Sequence, residues 1–193
     1  MKLNTPILLT LSRIFVIPIF ILIYYLPVEW SSFVCTWLFV AAAITDWLDG
    51  YLARRFKQGT QFGAFLDPVA DKLMVVVVLV LLVDRNPTTL PGIILAIPAV
   101  IIVGREITIS ALREWMAELG ESGVVSVSYI GKVKTSAQLI ALPFMIHREP
   151  LWGFLPVVEI GLFLLYVAAL LTLWSMYTYI RGAWPVIKVN AEK

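Results

Sequence analysis

The sequence predicts an all-α integral membrane protein with six transmembrane helices. The first observation is composition: 60% of the 193 residues are hydrophobic, only 15% are charged, and the mean hydropathy is +0.89. A soluble domain is about half apolar and about a quarter charged. The second is a series of long apolar runs, such as "IFVIPIFILIYYLP", "LMVVVVLVLLV" and "GLFLLYVAALLTLW". Because hydrocarbon offers no partner to a free backbone group, each run is predicted to be helical.

The six spans follow from runs of about 20 mostly apolar residues, the length that crosses ~30 Å of hydrocarbon as a helix. In chain order they cover about 7–26, 32–57, 63–84, 92–118, 128–147 and 153–181. The breaks between them are rich in proline, glycine and polar residues. A short cytoplasmic segment precedes the first span, which Arg13 interrupts without a following cleavage site, so we predict a helix and not a signal peptide. The whole chain, 1–193, is predicted to be one polytopic domain.

The basic residues predict the orientation of the chain. With both termini in the cytoplasm, only Arg85 and Arg148 of the 15 lysines and arginines fall in outward loops. Lysine and arginine concentrate on the cytoplasmic side of membrane proteins, so both termini are predicted to be cytoplasmic. The net charge of +2 is too small to indicate nucleic-acid binding. Cys35 is the single cysteine, which excludes an intrachain disulfide and a thiolate metal cluster.

Four aspartates flank the second break, although a carboxylate in hydrocarbon is costly. On the helix before the break, positions i, i+3, i+4 and i+7 share a face and hold Asp46, Asp49, Gly50 and Ala53. After the break, Gly63, Asp67 and Asp71 form a stripe at i, i+4 and i+8. Asp49 and Asp71 each lie about 12 Å along their helices from the turn. The two pairs are therefore predicted to face each other in the cytoplasmic half of the membrane, with small residues leaving room for a ligand.

The donor set predicts a hard divalent cation at these aspartates. No histidine or cysteine is near in the sequence, so the ligands are carboxylate oxygens, which suit Mg²⁺, Mn²⁺ or Ca²⁺ and not zinc or copper. Four carboxylates can hold two ions, and a pair about 3.5–4 Å apart is a common clamp for displacement at phosphorus. An ion-coupled transporter also uses intramembrane carboxylates, so both classes stay open at this point.

The stretch "DWLDGYLARRFKQGTQFGAFLDPVAD" matches D-x2-D-G-x2-A-R-x8-G-x3-D-x3-D with every spacing intact. It resembles the signature of the CDP-alcohol phosphatidyltransferases, membrane enzymes that move a phosphatidyl or similar group from a CDP-linked donor to an alcohol. The resemblance implies that Asp46, Asp49 and Asp67 bind metal. It implies that Asp71 completes the second metal site and is the general base for the acceptor hydroxyl. The positions that match the lining of the CDP pocket are Thr45, Asp49, Gly50, Ala53, Arg54 and Gly63.

The rest of the chain resembles the bacterial members of this family that make phosphatidylglycerophosphate. The matching segments are "NTPILLTLSR", "GREITISALREWMAELG", "SYIGKVKTSAQ" and "LTLWSM". The resemblance implies transfer from CDP-diacylglycerol to the 1-hydroxyl of sn-glycerol 3-phosphate, with CMP leaving. It also implies two divalent ions (Mg²⁺ or Mn²⁺), Arg13 beside the site, a homodimer, and a multi-pass location in the bacterial cytoplasmic (inner) membrane with the active site facing the cytoplasm.

A phosphorylated acceptor needs cations, and the predicted fourth and fifth helices offer them. Arg105 and Arg113 lie within about 80° of each other around the fourth helix, and Arg105 is next to Glu106. Lys132 and Lys134 enter the fifth helix at the same cytoplasmic level. We predict that these four basic residues bind a phosphate dianion. The two lysines alone fit lipid head-group anchoring equally well, and serine, inositol phosphate or another phospholipid stays open as the acceptor.

Overall fold

The computed structural model describes residues 5–56, 61–121, 129–151 and 153–191, and these form six α-helices. In chain order they are α1 (Thr5–Tyr25), α2 (Ser31–Phe56), α3 (Gln61–Asp84), α4 (Ile93–Glu118), α5 (Tyr129–His147) and α6 (Val157–Ala191). Side chains are described except at 5–9, 47, 49–56, 61–68, 71, 129–132 and 191. The prediction of an all-helical chain is confirmed for the described residues.

The first five predicted helices agree with the structure to within two residues at each end. The bounds predicted for the sixth helix are wrong, because α6 begins at Val157 and continues to Ala191. Its start is delayed by a tight turn in which Leu151 and Leu155 form an isolated β-bridge. Gly153 in this turn has a φ of +74°, a left-handed conformation that an α-helix does not contain.

The last turns of α6 pack along the C-terminal half of α4, which explains why α6 outlasts its apolar run. Tyr179 and Ala183 on α6 are buried against Ile109 and Met116 on α4. Partly buried apolar side chains surround this α4–α6 cluster: Leu112, Leu119, Met176, Val186 and Ile187. Hydrocarbon thickness limits the apolar run of a span, but it does not limit a helix that is stabilised further along by a neighbouring helix.

Met116→Ala is expected to destabilise the protein by about 2–5 kcal/mol, because removing a buried side chain leaves a cavity. Met116 is fully buried, whereas the adjacent Trp115 is exposed. The measurement is thermal unfolding in detergent, with Trp115→Ala as the matched control on the same helix. We expect a clear fall in melting temperature for Met116→Ala and little change for the control. Equal shifts in the two variants would contradict the α4–α6 packing.

Contacts along the chain define two compact units. The first comprises Met1–Thr89 and Leu142–Gly161, and the second comprises Leu90–Ala141 and Leu162–Lys193. In the first unit, α1 packs against both α2 and α3. Its core contains buried side chains from these three helices: Phe20, Tyr24, Cys35, Phe39, Val78, Leu79 and Leu82. That the chain is one polytopic domain stays a prediction.

The two arginines predicted on the outer side both lie over tyrosines at the end of α1. The guanidinium carbon of Arg85 is 4.7 Å from the ring centroid of Tyr25, and that of Arg148 is 4.8 Å from the ring centroid of Tyr24. The Tyr25 hydroxyl also donates to Asp84 at 2.7 Å. Cation–π contacts of this length are stabilising, so both arginines help to hold α1 within the first unit.

The described surface favours a membrane protein. Two helical stretches are long and apolar enough to cross a membrane, Ile93–Glu118 and Val157–Asn190, and two shorter apolar stretches are Thr10–Tyr25 and Ser31–Asp46. Large apolar side chains are exposed on all six helices, for example Leu22, Trp37, Val80, Val100, Ile140 and Leu170. Water-soluble proteins keep exposed apolar patches small. The number of spans and the cytoplasmic placement of the termini stay predictions.

Candidate active site

Asp46, on α2, is the described member of the four predicted metal ligands. Its Oδ1 accepts a hydrogen bond of 2.7 Å from Nη1 of Arg13 on α1, and the two side chains form an ion pair. Arg13 is only 5% exposed, and a buried guanidinium needs an anionic partner. The packing of α1 on α2 therefore places a cation directly on this carboxylate. The expectation that Arg13 lies beside the aspartate site is confirmed at Asp46.

The side chains of Asp49, Asp67 and Asp71 lie outside the described residues. Their helix positions are described: Asp46 and Asp49 are one turn apart within α2, and Asp67 and Asp71 are one turn apart within α3. Four positions of the predicted CDP pocket also have side chains outside the description: Gly50, Ala53, Arg54 and Gly63. The roles assigned to all of these residues stay predictions.

Thr45 is the described member of the predicted CDP pocket. Its hydroxyl donates within α2 to the carbonyl of Ala42 at 3.1 Å and also to the carbonyl of Ala41. A threonine hydroxyl has one proton and two lone pairs. Because the proton is engaged by the helix backbone, the Thr45 oxygen is left with acceptor capacity toward a ligand.

The chemistry at Asp46 fits a divalent cation. Its Oδ1 already contacts a positive group, Nη1 of Arg13, at 2.7 Å. With Asp49, Asp67 and Asp71 it would offer only oxygen ligands, the set that Mg²⁺ and Mn²⁺ prefer. Among the described side chains, no group of three or more histidine, cysteine, aspartate or glutamate residues lies together, and three of the four predicted ligands are outside that set.

In the second unit, two of the residues predicted to bind phosphate meet at one carboxylate. Nη1 of Arg105 and Nζ of Lys134 both lie on Oε1 of Glu106, at 2.9 Å and 2.7 Å. Arg105 is 6% exposed and Lys134 is 4% exposed. Glu106 and Arg105 are on α4, whereas Lys134 is on α5. A carboxylate between two buried cations therefore ties these helices together.

Tyr179 on α6 brings a third cation, Arg113, to the same place. The guanidinium carbons of Arg105 and Arg113 lie 5.4 Å and 5.6 Å from the centroid of the Tyr179 ring, within the ~6 Å range of a cation–π contact. Nη2 of Arg105 also donates to Oγ of Ser175 at 3.4 Å. Arg105 and Arg113, predicted to lie within about 80° of each other around α4, thus reach the same ring. We call Arg105, Arg113 and Lys134 the basic cluster.

The structure thus brings together three of the four predicted phosphate-binding residues, and the side chain of Lys132 lies outside the described residues. Sequence analysis missed Ser175 and Tyr179. They are four residues apart in α6 and so share one of its faces. Thr172, Ser175 and Tyr179 lie at i, i+3 and i+7 and form a polar stripe on one face of α6, which was the signal that could have found them.

The charge of this region suits a phosphate monoester. The three cations of the basic cluster and the carboxylate of Glu106 leave two positive charges, and a phosphate monoester carries nearly two negative charges at neutral pH. Arginine guanidinium groups bind phosphate oxygens through two parallel N–H donors. Burial strengthens such interactions, because the surrounding medium screens charge less than water does.

Comparisons with known proteins agree with the signature. A family model described as CDP-alcohol phosphatidyltransferase matches residues 3–174. Proteins named CDP-diacylglycerol–glycerol-3-phosphate 3-phosphatidyltransferase are 51% identical over 183 residues in Shigella flexneri serotype 5b (strain 8401), Shigella boydii serotype 4 (strain Sb227) and Escherichia coli (strain K12). Each match covers 95% of this chain and 96% of the relative. The chain therefore belongs to the CDP-alcohol phosphatidyltransferase family.

Proposed function

We propose that this chain transfers the phosphatidyl group of CDP-diacylglycerol to sn-glycerol 3-phosphate, giving phosphatidylglycerophosphate and CMP. The observation that carries the proposal is the 51% identity, over 95% of the chain, to relatives whose name contains both substrates. A match of this extent includes the aspartate helices of the first unit and the basic cluster of the second.

The aspartates are proposed to hold the metal ions on which this family depends. We infer two ions, Mg²⁺ or Mn²⁺, with Asp46, Asp49, Asp67 and Asp71 as ligands, because four carboxylates supply oxygen donors alone. When bound, such ions withdraw charge from a pyrophosphate and stabilise the departing phosphate.

Asp71 is proposed to act as the general base. It takes the proton of the 1-hydroxyl of sn-glycerol 3-phosphate while that oxygen attacks the phosphorus that bears diacylglycerol. The new bond joins this phosphorus to the acceptor oxygen, and the bond that breaks joins it to the phosphate oxygen of CMP. The electron pair of the broken bond leaves with CMP. A positioned carboxylate base accelerates proton transfers of this kind by about 10²–10⁴-fold.

The nucleotide is proposed to lie against α2 and the start of α3. The residues assigned to its pocket are Thr45, Asp49, Gly50, Ala53, Arg54 and Gly63. Glycine and alanine let a nucleotide approach the backbone closely, and Arg54 can bind phosphate through two donors. Thr45 contributes an oxygen acceptor, because its hydroxyl proton is engaged by its own helix.

The basic cluster, with Lys132, is proposed to bind the phosphate of the acceptor. Arg105 and Lys134 are buried and form ion pairs with Glu106. Because they are already removed from water, they lose little bound water when a phosphate dianion binds. Serine would bring a single carboxylate, and an ammonium group with it, whereas a phosphate monoester brings nearly two negative charges. This arrangement supports sn-glycerol 3-phosphate over serine.

The proposed setting is the cytoplasmic (inner) membrane of a bacterium. We propose six spans in one domain over 1–193, with both termini and the active site facing the cytoplasm, and a homodimer as the assembled form. The distribution of lysine and arginine supports this orientation. The exposed apolar side chains of all six helices support a lipid environment.

An acceptor assay with purified protein tests the proposal. The protein in detergent micelles with Mg²⁺ receives CDP-diacylglycerol and, separately, radiolabelled sn-glycerol 3-phosphate, serine or inositol phosphate. We expect CMP release and labelled phosphatidylglycerophosphate with the first acceptor, and background with the others. Preferential use of serine or inositol phosphate would retain the enzyme class and overturn the acceptor. Cation flux into liposomes without any CMP release would favour a transporter instead.

A further inference from the structure

We propose that Tyr179 and Glu106 are positioning residues that assemble the basic cluster before the acceptor arrives. The inference rests on the proposed function, because it concerns how the phosphate pocket is built. Tyr179 holds Arg105 and Arg113 against one ring, and Glu106 holds Arg105 and Lys134 on one oxygen. Neither residue was among those predicted to bind the acceptor, and Tyr179 lies beyond the segment 3–174 matched by the family model.

Bringing the cations of the basic cluster together is unfavourable unless other residues stabilise them. Arg105 and Arg113 are eight residues apart on α4, which separates their backbones by about 12 Å along the helix axis. Like charges repel, and the repulsion grows where burial reduces screening. Long arginine side chains also lose conformational freedom when they are fixed in one place. The helix alone therefore does not bring the two guanidinium groups to a common site.

The Tyr179 ring is a rigid contact point for both arginines. It is 5% exposed and packs in the α4–α6 cluster with Ile109, Met116 and Ala183. The negative face of an aromatic ring attracts a guanidinium group, and the attraction increases when the pair is removed from water. A ring that is fixed by core packing can therefore determine the positions of both guanidinium groups, although the ring itself carries no charge.

Glu106 organises the other side of the cluster. One of its oxygens accepts from both Arg105 and Lys134, at 2.9 Å and 2.7 Å, so two helices present their cations at a fixed separation. Preorganised donors bind a ligand more tightly than free ones, since less ordering remains to be done on binding. We therefore expect the two positioning residues to set the affinity for the acceptor phosphate and to leave the chemical step largely alone.

The test compares Tyr179→Phe with Tyr179→Leu, because the first keeps the ring and the second removes it. Tyr179→Leu is expected to raise KM for sn-glycerol 3-phosphate by about tenfold, with kcat at saturation and KM for CDP-diacylglycerol within about twofold of wild type. Tyr179→Phe is expected to retain the wild-type KM. Tyr177→Leu is the matched control, since Tyr177 is on the same helix and 57% exposed. An equal loss in Tyr179→Phe and Tyr179→Leu would overturn the role of the ring.

Glu106→Gln gives a second test that leaves the α4–α6 cluster intact and so does not depend on the folding of Tyr179→Leu. The substitution keeps the shape of the side chain and adds one net positive charge to the pocket. If Glu106 merely offsets charge, KM for the dianionic acceptor should fall. We expect KM to rise about tenfold instead, because a neutral amide oxygen holds Arg105 and Lys134 less strongly than the carboxylate does. A lower KM would overturn the positioning role of Glu106.

The variant Arg105→Ala distinguishes failure of the positioning roles from failure of the proposed function. If wild type uses sn-glycerol 3-phosphate and Arg105→Ala raises its KM while Tyr179→Leu and Glu106→Gln do not, the positioning roles are overturned and the proposed function stands. If wild type does not use sn-glycerol 3-phosphate, the proposed function and the inference both fall. Inorganic phosphate, used as a competitive inhibitor, should lose potency in parallel with the rise in KM.

Discussion

Chelation of divalent ions is expected to abolish phosphatidyl transfer, with a loss of at least about 10³-fold, because metal ions at such sites supply several kcal/mol of transition-state stabilisation. Without them, the four carboxylates proposed as ligands would also repel the pyrophosphate of the proposed donor. The measurement is CMP release by the purified protein in excess EDTA, followed by titration with Mg²⁺ or Mn²⁺. Activity should return as the free ion concentration rises, and a slope steeper than first order would indicate two ions.

Two controls make this loss interpretable. Thermal unfolding in EDTA shows whether the helical fold persists, and isothermal titration of Mn²⁺ in the presence of CMP measures metal binding without turnover. Full activity in excess chelator would contradict the metal site. Metal binding that survives replacement of Asp46, Asp49, Asp67 and Asp71 together by asparagine would contradict the ligand assignment.

Asp71→Asn is expected to lower kcat by at least about 10³-fold, near the upper part of the range for a general base. Asparagine keeps the size of the side chain but cannot accept the proton of the attacking hydroxyl. Because Asp71 is also proposed to bind the second metal, the rate is measured while Mn²⁺ is raised until it has no further effect. The deficit that remains at that plateau is the contribution of the base.

Asp84→Asn is the matched control for this variant. Asp84 lies on the same helix, α3, and accepts a hydrogen bond from Tyr25, away from the proposed chemistry. We expect its kcat to stay within about twofold of wild type, since one exposed hydrogen bond contributes little. Formation of phosphatidylglycerophosphate at the wild-type rate by Asp71→Asn would show that another group takes the proton.

The sequence predicts the helices well because a hydrocarbon environment strongly favours helical backbone. Apolar runs bounded by proline and glycine locate α1 to α5 to within two residues, since backbone groups in hydrocarbon have no alternative to a helix. Periodicity also places Arg105 and Arg113 within about 80° of each other around α4, and both guanidinium groups contact the Tyr179 ring. Periodicity within one helix identifies which residues share a face.

Periodicity does not identify the neighbour that a face meets. The contact of Tyr179 with the two arginines depends on how α6 lies against α4, and the bond from Lys134 to Glu106 depends on how α5 lies against α4. The same limit explains the wrong end predicted for α6. Its final turns pack against Met116 and other α4 side chains. The apolar run of α6, taken alone, does not indicate which residues of another helix it contacts.

In the proposed topology, the length of α6 places the proposed acceptor pocket near the cytoplasmic boundary of the membrane. From Val157, Tyr179 lies about 33 Å along the helix at a rise of about 1.5 Å per residue, and the hydrocarbon layer is ~30 Å thick. If Val157 lies at the outer boundary of the hydrocarbon layer, as in the proposed topology, the Tyr179 ring lies where that layer meets the head groups of the cytoplasmic leaflet. A doubly charged metabolite can then dock from the cytosol without shedding its hydration into lipid. Only the proposed lipid donor, CDP-diacylglycerol, would then have to move from the bilayer to that level.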